Sequence, residues 1–437
     1  MGNLLTQVDP GPVFLVAVTL IVFAIPVFIL FPPIPVEHSD ALRQTHSKIG
    51  LPLLRSNLRS QHRSNSHAPL PGRPASIQSL FVYPIKSCRG LELAQATVLP
   101  NGLEHDRLFA FAQLKPSNNP DHAWEVLTQR AVPLMANIKV DVWLPDASKA
   151  SRQLGKPDDH GFVVVRFPHA DSGLHGLLQS LAAKLSRGLT AVPEKSFILP
   201  LDFPSKAQIA ARGFEYASVK IWSSSPSALN MEPDLPPQLA RYLGINNRLG
   251  LFRMHPHHTR QVLVCAPHEY HVGYQPSINF QDAHPLHLLS ITSVHHLQSK
   301  IQTDKSLQHL DVRRFRANII LSGAEAYDED DWKLVQFGFK DHGGKNMFHV
   351  ACRTTRCKLP NVDQATGTRH GSEPDRALRK FRNIDDGAPK MGCLGMQLCP
   401  IFAQDQQQSP DRAQAFLQVG MEVNVLQRGP HHFGGKT

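Results

Sequence analysis

Short strand-like runs that stop at proline or glycine constrain the fold of this chain more than any other sequence feature. The 437 residues include 35 prolines, and a proline inside a helix removes a backbone hydrogen bond. Runs such as 77–82 and 162–167 are rich in β-branched and aromatic residues, as buried strands are. Helical patches are few and short, for example 236–243, which stops at Gly244. The sequence therefore predicts a mostly β fold with α insertions, an α+β class built on β-barrels.

A turn sequence near residue 100 predicts a local hairpin. Pro100-Asn101-Gly102 separates the strand-like runs 96–99 and 107–111. Turn residues of this kind commonly connect two neighbouring antiparallel strands. We therefore expect these two runs to pair with each other.

Charge and composition narrow the function classes. The formal net charge is +10, but aromatic residues make up only 7% and no run of five or more Lys or Arg occurs. Dispersed positive charge suits an anionic cofactor or a membrane surface, so we do not expect nucleic acid as a partner. A hydrophobic content of 41% in a chain of this length leaves room for two or three folded domains.

Residues 10–36 carry no charged side chain. A run of this length is sufficient to cross a bilayer as a helix, even with Pro26 inside it. Lys and Arg occur only after the run, first at Arg43, so the positive-inside rule places the body of the protein in the cytosol. A cleaved signal peptide, the main alternative, would need basic residues before the run. The sequence thus predicts a single-pass transmembrane anchor over 1–36.

The segment after this run has the composition of a tether. Residues 37–75 are rich in Ser, Arg, His and Pro and contain few side chains that a core would bury. We therefore expect a flexible linker over 37–75, with folded sequence beginning at residue 76.

Cys357 is the residue whose surroundings indicate chemistry most clearly. Six cysteines are too few for a disulfide framework in a chain of this length. Cys357 lies between Arg356 and Lys358, and neighbouring cations stabilise a thiolate, the form that binds metals or acts as a nucleophile. A turn-like sequence follows at 363–367, which places the cysteine at the edge between a strand and a loop. An incidental thiol on a basic surface loop is the alternative interpretation.

Three further segments place basic or small polar residues beside turns. They span 83–90, 102–107 and 314–318. Lys86, Arg107 and Arg316 would together neutralise a phosphate-bearing ligand, the arginines through a planar fork and the lysine as a point charge. Each segment alone is more typical of an ordinary surface loop.

Taken in order, these segments resemble the MOSC family, specifically its membrane-anchored subgroup of amidoxime-reducing components. The family's Tyr-Pro-x-Lys-Ser-Cys-x-Gly element stands at 83–90, its Asp-Arg pair at 106–107 and its Phe-Arg-x-Asn element at 315–318. The Cys357 segment matches the related Arg-Cys-x-x-x-x-Val-Asp-x-x-Thr-Gly pattern at 356–367.

The resemblance implies a cofactor and the residues that hold it. An N-terminal MOSC β-barrel-like module over 76–255 and a MOSC β-barrel over 256–430 would hold a molybdenum–molybdopterin cofactor between them. Cys357 would be the protein ligand to molybdenum and the catalytic residue. The implied cofactor contacts are Lys86, Ser87, Arg107, Asp282, His284, Arg316, Asn318, Thr355 and Gln397.

The chain departs from the family pattern in two of these segments. Asp282-Ala283-His284-Pro285 replaces a usual Asp-Thr-Ser-Pro, so His284 or backbone amides must supply the contacts that hydroxyls give elsewhere. Residues 394–397 differ from the usual Phe-Gly-Gln-Tyr type and leave Gln397 as the candidate contact.

Structural zinc is the rival metal interpretation. It would use two pairs of cysteines, Cys352 with Cys357 and Cys393 with Cys399. Four and five residues separate the members of the pairs, and this spacing fits zinc sites poorly.

The resemblance implies an oxidoreductase that reduces N-hydroxylated compounds such as amidoximes, hydroxylamines or N-oxides. The resemblance also implies that electrons come from NADH through a cytochrome b5 reductase and a cytochrome b5-type haem protein. The chain has no Gly-x-Gly-x-x-Gly fingerprint of its own, which fits a terminal acceptor. The mitochondrial outer membrane, the usual location of the subgroup, is favoured over the endoplasmic reticulum.

Two other functions stay open. Sulfur transfer, as in molybdenum cofactor sulfurase, would require a pyridoxal-phosphate module before the MOSC part. Only about 76 residues precede that part, so pyridoxal phosphate is not expected as a cofactor. A non-enzymatic, membrane-tethered carrier of the molybdenum cofactor would share every binding residue with the reductase and differ only in turnover.

Overall fold

The computed structural model describes residues 10–30, 40–116, 124–149, 159–301, 307, 309–339, 342–402 and 414–434. These residues form 22 strands and eight α-helices, besides short 3-10 helices, arranged around two closed barrels. The prediction of β-barrels with α insertions is confirmed.

The strands are β1 His46–Lys48, β2 Ser76–Val82, β3 Leu91–Leu93, β4 Gln95–Leu99, β5 Gly102–Leu103, β6 Phe109–Leu114, β7 Trp124–Val126, β8 Lys139–Pro145, β9 Phe162–Pro168, β10 Glu194–Pro200, β11 Glu215–Lys220, β12 Ser227–Asn230, β13 Leu249–Arg253, β14 Arg260–Gln261, β15 Ser277–Ile278, β16 Leu286–Ser290, β17 Ile319–Ser322, β18 Trp332–Phe339, β19 His342–Arg356, β20 Gly392–Ile401, β21 Ala415–Gln418 and β22 Glu422–Arg428. The helices are α1 Pro10–Leu30, α2 Ser64–His67, α3 Gly173–Arg187, α4 Lys206–Arg212, α5 Pro237–Leu243, α6 Glu269–Val272, α7 Ile291–Lys300 and α8 Asp375–Phe381.

The first barrel closes five strands in the order β11-β12-β13-β6-β7. Successive residues of a strand point to opposite faces. Both faces of β6 are buried, each in a different apolar cluster. Ala110 and Ala112 belong to the apolar cluster of this barrel, whereas Phe109 and Phe111 enter the larger core of the protein. A separate sheet, β1-β8-β9-β10, contributes Val165 to the same larger core.

The second barrel is a ring of seven strands, β17-β16-β20-β19-β18-β22-β2, which closes because β2 also pairs with β17; β3 attaches to β2. Strand β2 lies early in the folded sequence, so the predicted boundary at 255/256 does not separate the barrels. One cluster of buried apolar side chains, including Phe111 and Phe337, runs through both halves. The boundary at 255/256 stays a prediction, and β2 fills a position in the second barrel that would otherwise leave two unpaired strand edges.

Residues 40–75, predicted as a flexible linker, pack against the body of the protein. Strand β1 pairs antiparallel with β8. Leu58 is 3% exposed and belongs to an apolar cluster with residues of α7. His67 is buried, and its Nδ1 lies 2.9 Å from Ser322 Oγ. The linker prediction was wrong because polar side chains are buried here through hydrogen bonds, which hydropathy does not reveal.

Removing residues 1–75 is expected to destabilise the protein more than removing residues 1–39. Burial of Leu58 alone contributes about 1.5–3 kcal/mol, and loss of β1 and His67 leaves hydrogen-bonding groups on the body unpaired. Thermal unfolding of the two truncated proteins measures the difference. Equal midpoints would show that the 40–75 segment contributes nothing to stability.

Helix α1 begins at Pro10 and ends at Leu30, within the run predicted to span a membrane. Residues 31–36 of that run lie outside the described residues. A bilayer core requires about 20 consecutive apolar residues in a helix. Among the described residues, no helix combines the length and the apolar character needed to cross a membrane. The predicted transmembrane anchor over 1–36 is therefore not supported.

The hairpin predicted near residue 100 forms with a different partner. Strand β4 pairs with the short β5 directly across the turn, with Leu99 opposite Gly102. The run 107–111 contributes to β6, which pairs with β13 in the first barrel. Gly102 has a φ of +124°, and a Cβ there would lie 2.6 Å from the carbonyl oxygen of Pro285. The turn is therefore tighter than predicted, and it brings Gly102 against the loop at 282–285.

Candidate functional site

A cavity of about 460 Å³ is lined by residues of both barrels. The first barrel and its loops contribute residues such as Thr128 and Trp222, and the second contributes the end of β19 and part of β20. All ten residues that the sequence predicts as site residues line this cavity: Lys86, Ser87, Arg107, Asp282, His284, Arg316, Asn318, Thr355, Cys357 and Gln397.

Strained backbone is concentrated around this cavity. Seven non-glycine residues of the described chain have a positive φ. Four of them line the cavity, namely Ser87 at 65°, Arg107 at 49°, Trp222 at 55° and Arg316 at 53°. A side chain in the left-handed region costs about 1–3 kcal/mol, and such residues cluster at functional sites. The backbone thus marks this cavity as the candidate site independently of any motif.

Lys86 and Asp282 form an ion pair on the cavity wall. Lys86 is 5% exposed, and its Nζ donates to Phe280 O at 2.7 Å and to Asp282 Oδ1 at 2.6 Å. Burial lowers the pKa of Lys86, and the Asp282 carboxylate offsets part of this effect. Burial alone would raise the pKa of Asp282, but Lys86 and a hydrogen bond from Trp222 hold it well below its usual range. Asp282 therefore already neutralises Lys86, which was predicted as a point charge for phosphate.

Two arginines stack on Tyr83. The guanidinium carbons of Arg107 and Arg316 each lie 4.2 Å from the centroid of its ring. Arg107 Nη1 donates to both carboxylate oxygens of Asp106, at 2.7 and 2.6 Å. Arg316 Nη1 donates to the carbonyl oxygen of Cys88 at 2.8 Å. Within the described part of the chain no carboxylate pairs with Arg316, so its positive charge is left for a ligand.

Arg316 also presents an unused donor. Its side chain is buried, and its Nη2 has no hydrogen-bond partner among the described residues. Burial lowers the pKa of Arg316 to about 10, so the group stays positive at neutral pH. A buried donor without an acceptor is costly. An anionic group in the cavity would relieve this cost.

His284 presents an unused acceptor. Its Nε2 lies 3.3 Å from the carbonyl oxygen of Cys265, which assigns the proton of the neutral ring to Nε2. Burial lowers the pKa of His284 to about 4, so the ring is neutral at pH 7. Its Nδ1 is buried and lacks a partner in the described residues. This nitrogen can accept an N–H from a ligand, at the position where relatives are expected to have hydroxyls.

Arg356, the residue before Cys357, is buried rather than on a basic surface. Its Nε donates to Leu394 O at 2.9 Å and its Nη1 to Phe315 O at 3.1 Å. Its Nη2 lies 2.6 Å from His287 Nε2. Burial lowers the pKa of His287 well below its usual value, and the charge of Arg356 lowers it further. The neutral imidazole therefore accepts from Arg356 and fixes a positive charge beside Cys357.

Cys357 directly follows the last residue of β19 and is a partly buried free thiol. The predicted position at the edge of a strand is confirmed. Arg314 holds the loop that follows: its Nη1 donates to Pro360 O at 3.3 Å and Asn361 O at 3.2 Å, and its Nη2 to Asp363 Oδ2 at 2.5 Å. Asp363, in the Val-Asp part of the motif, therefore helps to hold the loop after Cys357 in place.

Asn318 lines the cavity but uses its side-chain amide within the protein. Its Nδ2 donates to Phe81 O at 3.0 Å, and its Oδ1 accepts from His287 N at 3.2 Å. It therefore connects β2 to β16. Thr355 lies on β19 and Gln397 on β20, where Gln397 faces Cys352 in the antiparallel register.

Two glutamines of the site were missed from the sequence. Gln129 Nε2 donates to the carbonyl oxygen of Ser87 at 2.7 Å, and Gln364 Nε2 donates to Gln129 Oε1 at 2.9 Å. Gln364 also accepts from Arg316 at 3.4 Å. This buried pair joins loops of the two barrels. Its only sequence signal is the place of Gln364 inside the motif after Cys357.

The candidate ligand side chains do not favour a metal site in which every ligand comes from the protein. No group of three or more His, Cys, Asp or Glu side chains in the described ranges is arranged to hold a metal ion. The register of β19 and β20 sets Cys399 opposite His349, far along the strands from Cys357. The zinc interpretation is therefore not supported. A single thiolate suits a thiophilic metal whose other ligands come from a cofactor.

These features fit the implied molybdenum–molybdopterin group. Arg316 Nη2 offers a donor to a phosphate oxygen, and His284 Nδ1 offers an acceptor to a pterin N–H. Cys357 offers the soft ligand. Donor, acceptor and thiol all line the same cavity.

Comparison with known proteins identifies the family of this chain. A family model described as MOSC domain matches residues 275–424, and one described as MOSC N-terminal beta barrel domain matches residues 74–172. The chain is similar to mitochondrial amidoxime-reducing component 1 from Homo sapiens, with 31% identity over 321 residues, covering 72% of this chain and 74% of that protein. The protein of the same name from Mus musculus is 25% identical, covering 75% of this chain and 76% of that protein.

The chain is also similar to a much longer protein. Molybdenum cofactor sulfurase from Arabidopsis thaliana is 25% identical over 357 residues, covering 80% of this chain but 35% of the sulfurase. The chain thus spans about a third of the length of that relative. With the two matched segments and the barrel architecture, these similarities show that the chain belongs to the MOSC domain family.

Proposed function

We propose that this protein is a molybdenum cofactor-dependent oxidoreductase that reduces N-hydroxylated compounds such as amidoximes, hydroxylamines or N-oxides. The observation that carries the proposal is the meeting of Cys357 with Arg107, Arg316 and His284 in one cavity. Similarity to two amidoxime-reducing components, over about three quarters of each, supports the reductive reaction.

Reduction of an amidoxime to an amidine consumes two electrons and two protons and releases water. The bound cofactor would supply the two-electron chemistry of molybdenum. The chain itself would hold the cofactor, orient the substrate beside Cys357 and limit access of water.

Each site residue has a definite part in this proposal. Cys357 Sγ would ligate molybdenum, next to the buried positive charge of Arg356. Arg316 would bind the cofactor phosphate, and Arg107, fixed by its own carboxylate partner, adds positive potential. His284 Nδ1 would accept from the pterin.

The remaining predicted contacts would act more through position than through charge. Lys86 and Asp282 neutralise each other, so they offer hydrogen bonds rather than net charge. The backbone of Ser87 is held open to the cavity by Gln129. Thr355 and Gln397 would border the cofactor from β19 and β20.

The proposal extends to partners and location. The electron donor would be a cytochrome b5-type haem protein, itself reduced by an NADH-dependent reductase. A mitochondrial location is proposed on the similarity to relatives from mouse and human whose names include that compartment.

A second candidate function is sulfur transfer involving the molybdenum cofactor, or carriage of that cofactor without turnover. The similarity to the plant sulfurase, which covers 80% of this chain, favours it. The same cavity would then present the cofactor to another protein instead of a small substrate.

Reconstitution separates the candidates. The full chain loaded with molybdenum is mixed with reduced cytochrome b5 and benzamidoxime, and haem oxidation and benzamidine are measured. The proposal expects two haems oxidised for each benzamidine, because each haem gives one electron. Bound molybdenum without substrate-dependent haem oxidation would favour the carrier, and transfer of labelled sulfur to an acceptor protein would favour the sulfurase-like role.

A further inference from the structure

The 430–434 segment, which follows β22, is fixed to the second barrel through its backbone. Phe433 N donates to Asp385 Oδ1 at 2.7 Å, and Asp385 is 2% exposed. Gly434 N lies 3.2 Å from Cys265 Sγ. These contacts do not involve the Phe433 ring. The ring can therefore be changed without removing the anchors of the segment.

The segment packs closely against the loop at 385–391. A Cβ added to Gly387 would lie 1.9 Å from the carbonyl oxygen of Phe433. The loop then turns, with Met391 N donating to Ala388 O at 3.0 Å. Position 387 has no room for a larger residue unless the segment moves.

This loop leads to the strand beside Cys357. Arg356 pairs with Gly392 in the antiparallel register of β19 and β20. The next residue outward on each side is Cys357 and Met391, so these two lie next to each other. Both line the cavity. The 430–434 segment is thus connected to the strand that pairs with β19 through the 385–391 loop, and Phe433 itself lines the cavity.

Part of the apolar lining of the cavity comes from residues other than those of the basic segments. Leu359, Pro360, Met391 and Phe433 line the cavity, and the charged residues that suit a phosphate come from the 83–90, 102–107 and 314–318 segments. The Phe433 side chain is only partly buried although it lies in this wall. An apolar wall beside the metal ligand is suited to the organic group of a substrate.

We propose that Phe433 is a specificity-determining residue: its ring forms the wall of the substrate pocket next to Cys357 and limits the size of the organic group that enters. The ligand class is an aryl or alkyl group attached to an amidoxime carbon, or to the amidine carbon of the product. The reaction part of this inference rests on the proposed function, but the size limit also applies to simple binding.

The test compares Phe433→Ala and Phe433→Leu with wild type, all as full chains loaded with molybdenum. Substrates are 2-naphthamidoxime, benzamidoxime and acetamidoxime, and binding of the three matching amidines is followed by calorimetry. Phe433→Ala should raise kcat/KM for the naphthyl over the phenyl compound by roughly tenfold, since small changes in an apolar pocket shift discrimination by about 10–200-fold. The Kd ratio of the amidines should shift in the same direction, with Phe433→Leu in between.

Two further variants make the result specific. Gly387→Ala should displace the 430–434 segment without touching the ring, and it should shift the same ratios. Phe416→Ala removes a phenyl ring that is 48% exposed on β21 and does not line the cavity; it should leave both ratios unchanged. Molybdenum per chain and the thermal midpoint confirm that each variant is folded and loaded.

The outcomes separate this inference from the proposed function. If wild type reduces no amidoxime but Phe433→Ala shifts the amidine Kd ratio, the reductase proposal fails and the size limit stands. If wild type is active and the ratios in Phe433→Ala stay within twofold of wild type, the inference is overturned and the reductase proposal stands. Absence of any amidine binding to the loaded wild type also overturns the inference.

Discussion

Replacing Cys357 by serine is expected to reduce the proposed reductase activity to background while the protein stays folded. Serine keeps the size of the side chain but replaces a soft thiolate by a hard, mostly protonated hydroxyl, which is a poor ligand for molybdenum. The loop after Cys357 is held by Arg314 and Asp363, so its position does not depend on the thiol. Turnover, molybdenum content, pterin content and the thermal midpoint measure the effect; some pterin should be retained through its phosphate.

Cys393→Ser is the matched control. Cys393 lies on β20 opposite Thr355 in the register, close to Cys357 along the sheet, but it does not line the cavity. Burial raises the pKa of Cys393 to about 11, so it is a neutral thiol. We expect a modest loss of stability and near wild-type turnover per molybdenum. Near wild-type turnover of Cys357→Ser with molybdenum bound would refute the thiolate-ligand mechanism.

Replacing Arg316 by glutamine is expected to give the second-largest effect, a loss of cofactor occupancy. A charge-assisted hydrogen bond contributes about 1.5–3 kcal/mol, so cofactor affinity should fall roughly 10- to 100-fold. Arg316 is a cleaner test than Arg107, because Arg107→Ala would also strand the buried carboxylate of Asp106. Molybdenum and pterin per folded chain, titrated against cofactor supply, measure the loss.

Arg253→Gln controls for the removal of a buried arginine. Arg253 is 6% exposed against 7% for Arg316, and burial lowers the pKa of both to about 10. It lies outside the cavity lining, over the ring of Phe109. The variant should lower the thermal midpoint but leave molybdenum per folded chain unchanged. Equal loss of molybdenum in both variants would mean that Arg316 acts only through stability.

Residue patterns alone indicated Cys357, Lys86, Arg107 and Arg316, and the other members of the candidate site were implied by motifs shared with the MOSC family. The roles of the charges could not be predicted in either way. Nothing in the 83–90 segment indicates that Lys86 meets Asp282, about 200 residues away, at 2.6 Å. The neutral state of His284 and the unused nitrogen of Arg316 likewise depend on burial by distant segments. The motifs therefore indicated which residues lie near each other, and only the fold revealed their ion pairs and protonation states.

The sequence predicted the fold class, but it did not predict which strands pair with each other. Runs of β-branched residues correctly located strands such as β2 and β9, because that signal is local. The partner of β6 and the packing of residues 40–75 depend on which strand edges from distant parts of the sequence are free to pair. Polar residues such as His67 are buried through hydrogen bonds with groups that are distant in sequence. Hydropathy values do not indicate such pairs.

The position of β2 in the second barrel has a consequence for how the protein is made. Ser76 pairs with Glu422, and Ile77 donates its N–H to the carbonyl oxygen of Met421, so the ring cannot close until β22 has left the ribosome. Pairing of strands so far apart in sequence is slow. Until the ring closes, its unpaired strand edges can promote aggregation. The first barrel, whose strands lie between residues 109 and 253, can form earlier. Cofactor loading would therefore wait for closure of a ring that joins β2 to β22, a strand made much later in the chain.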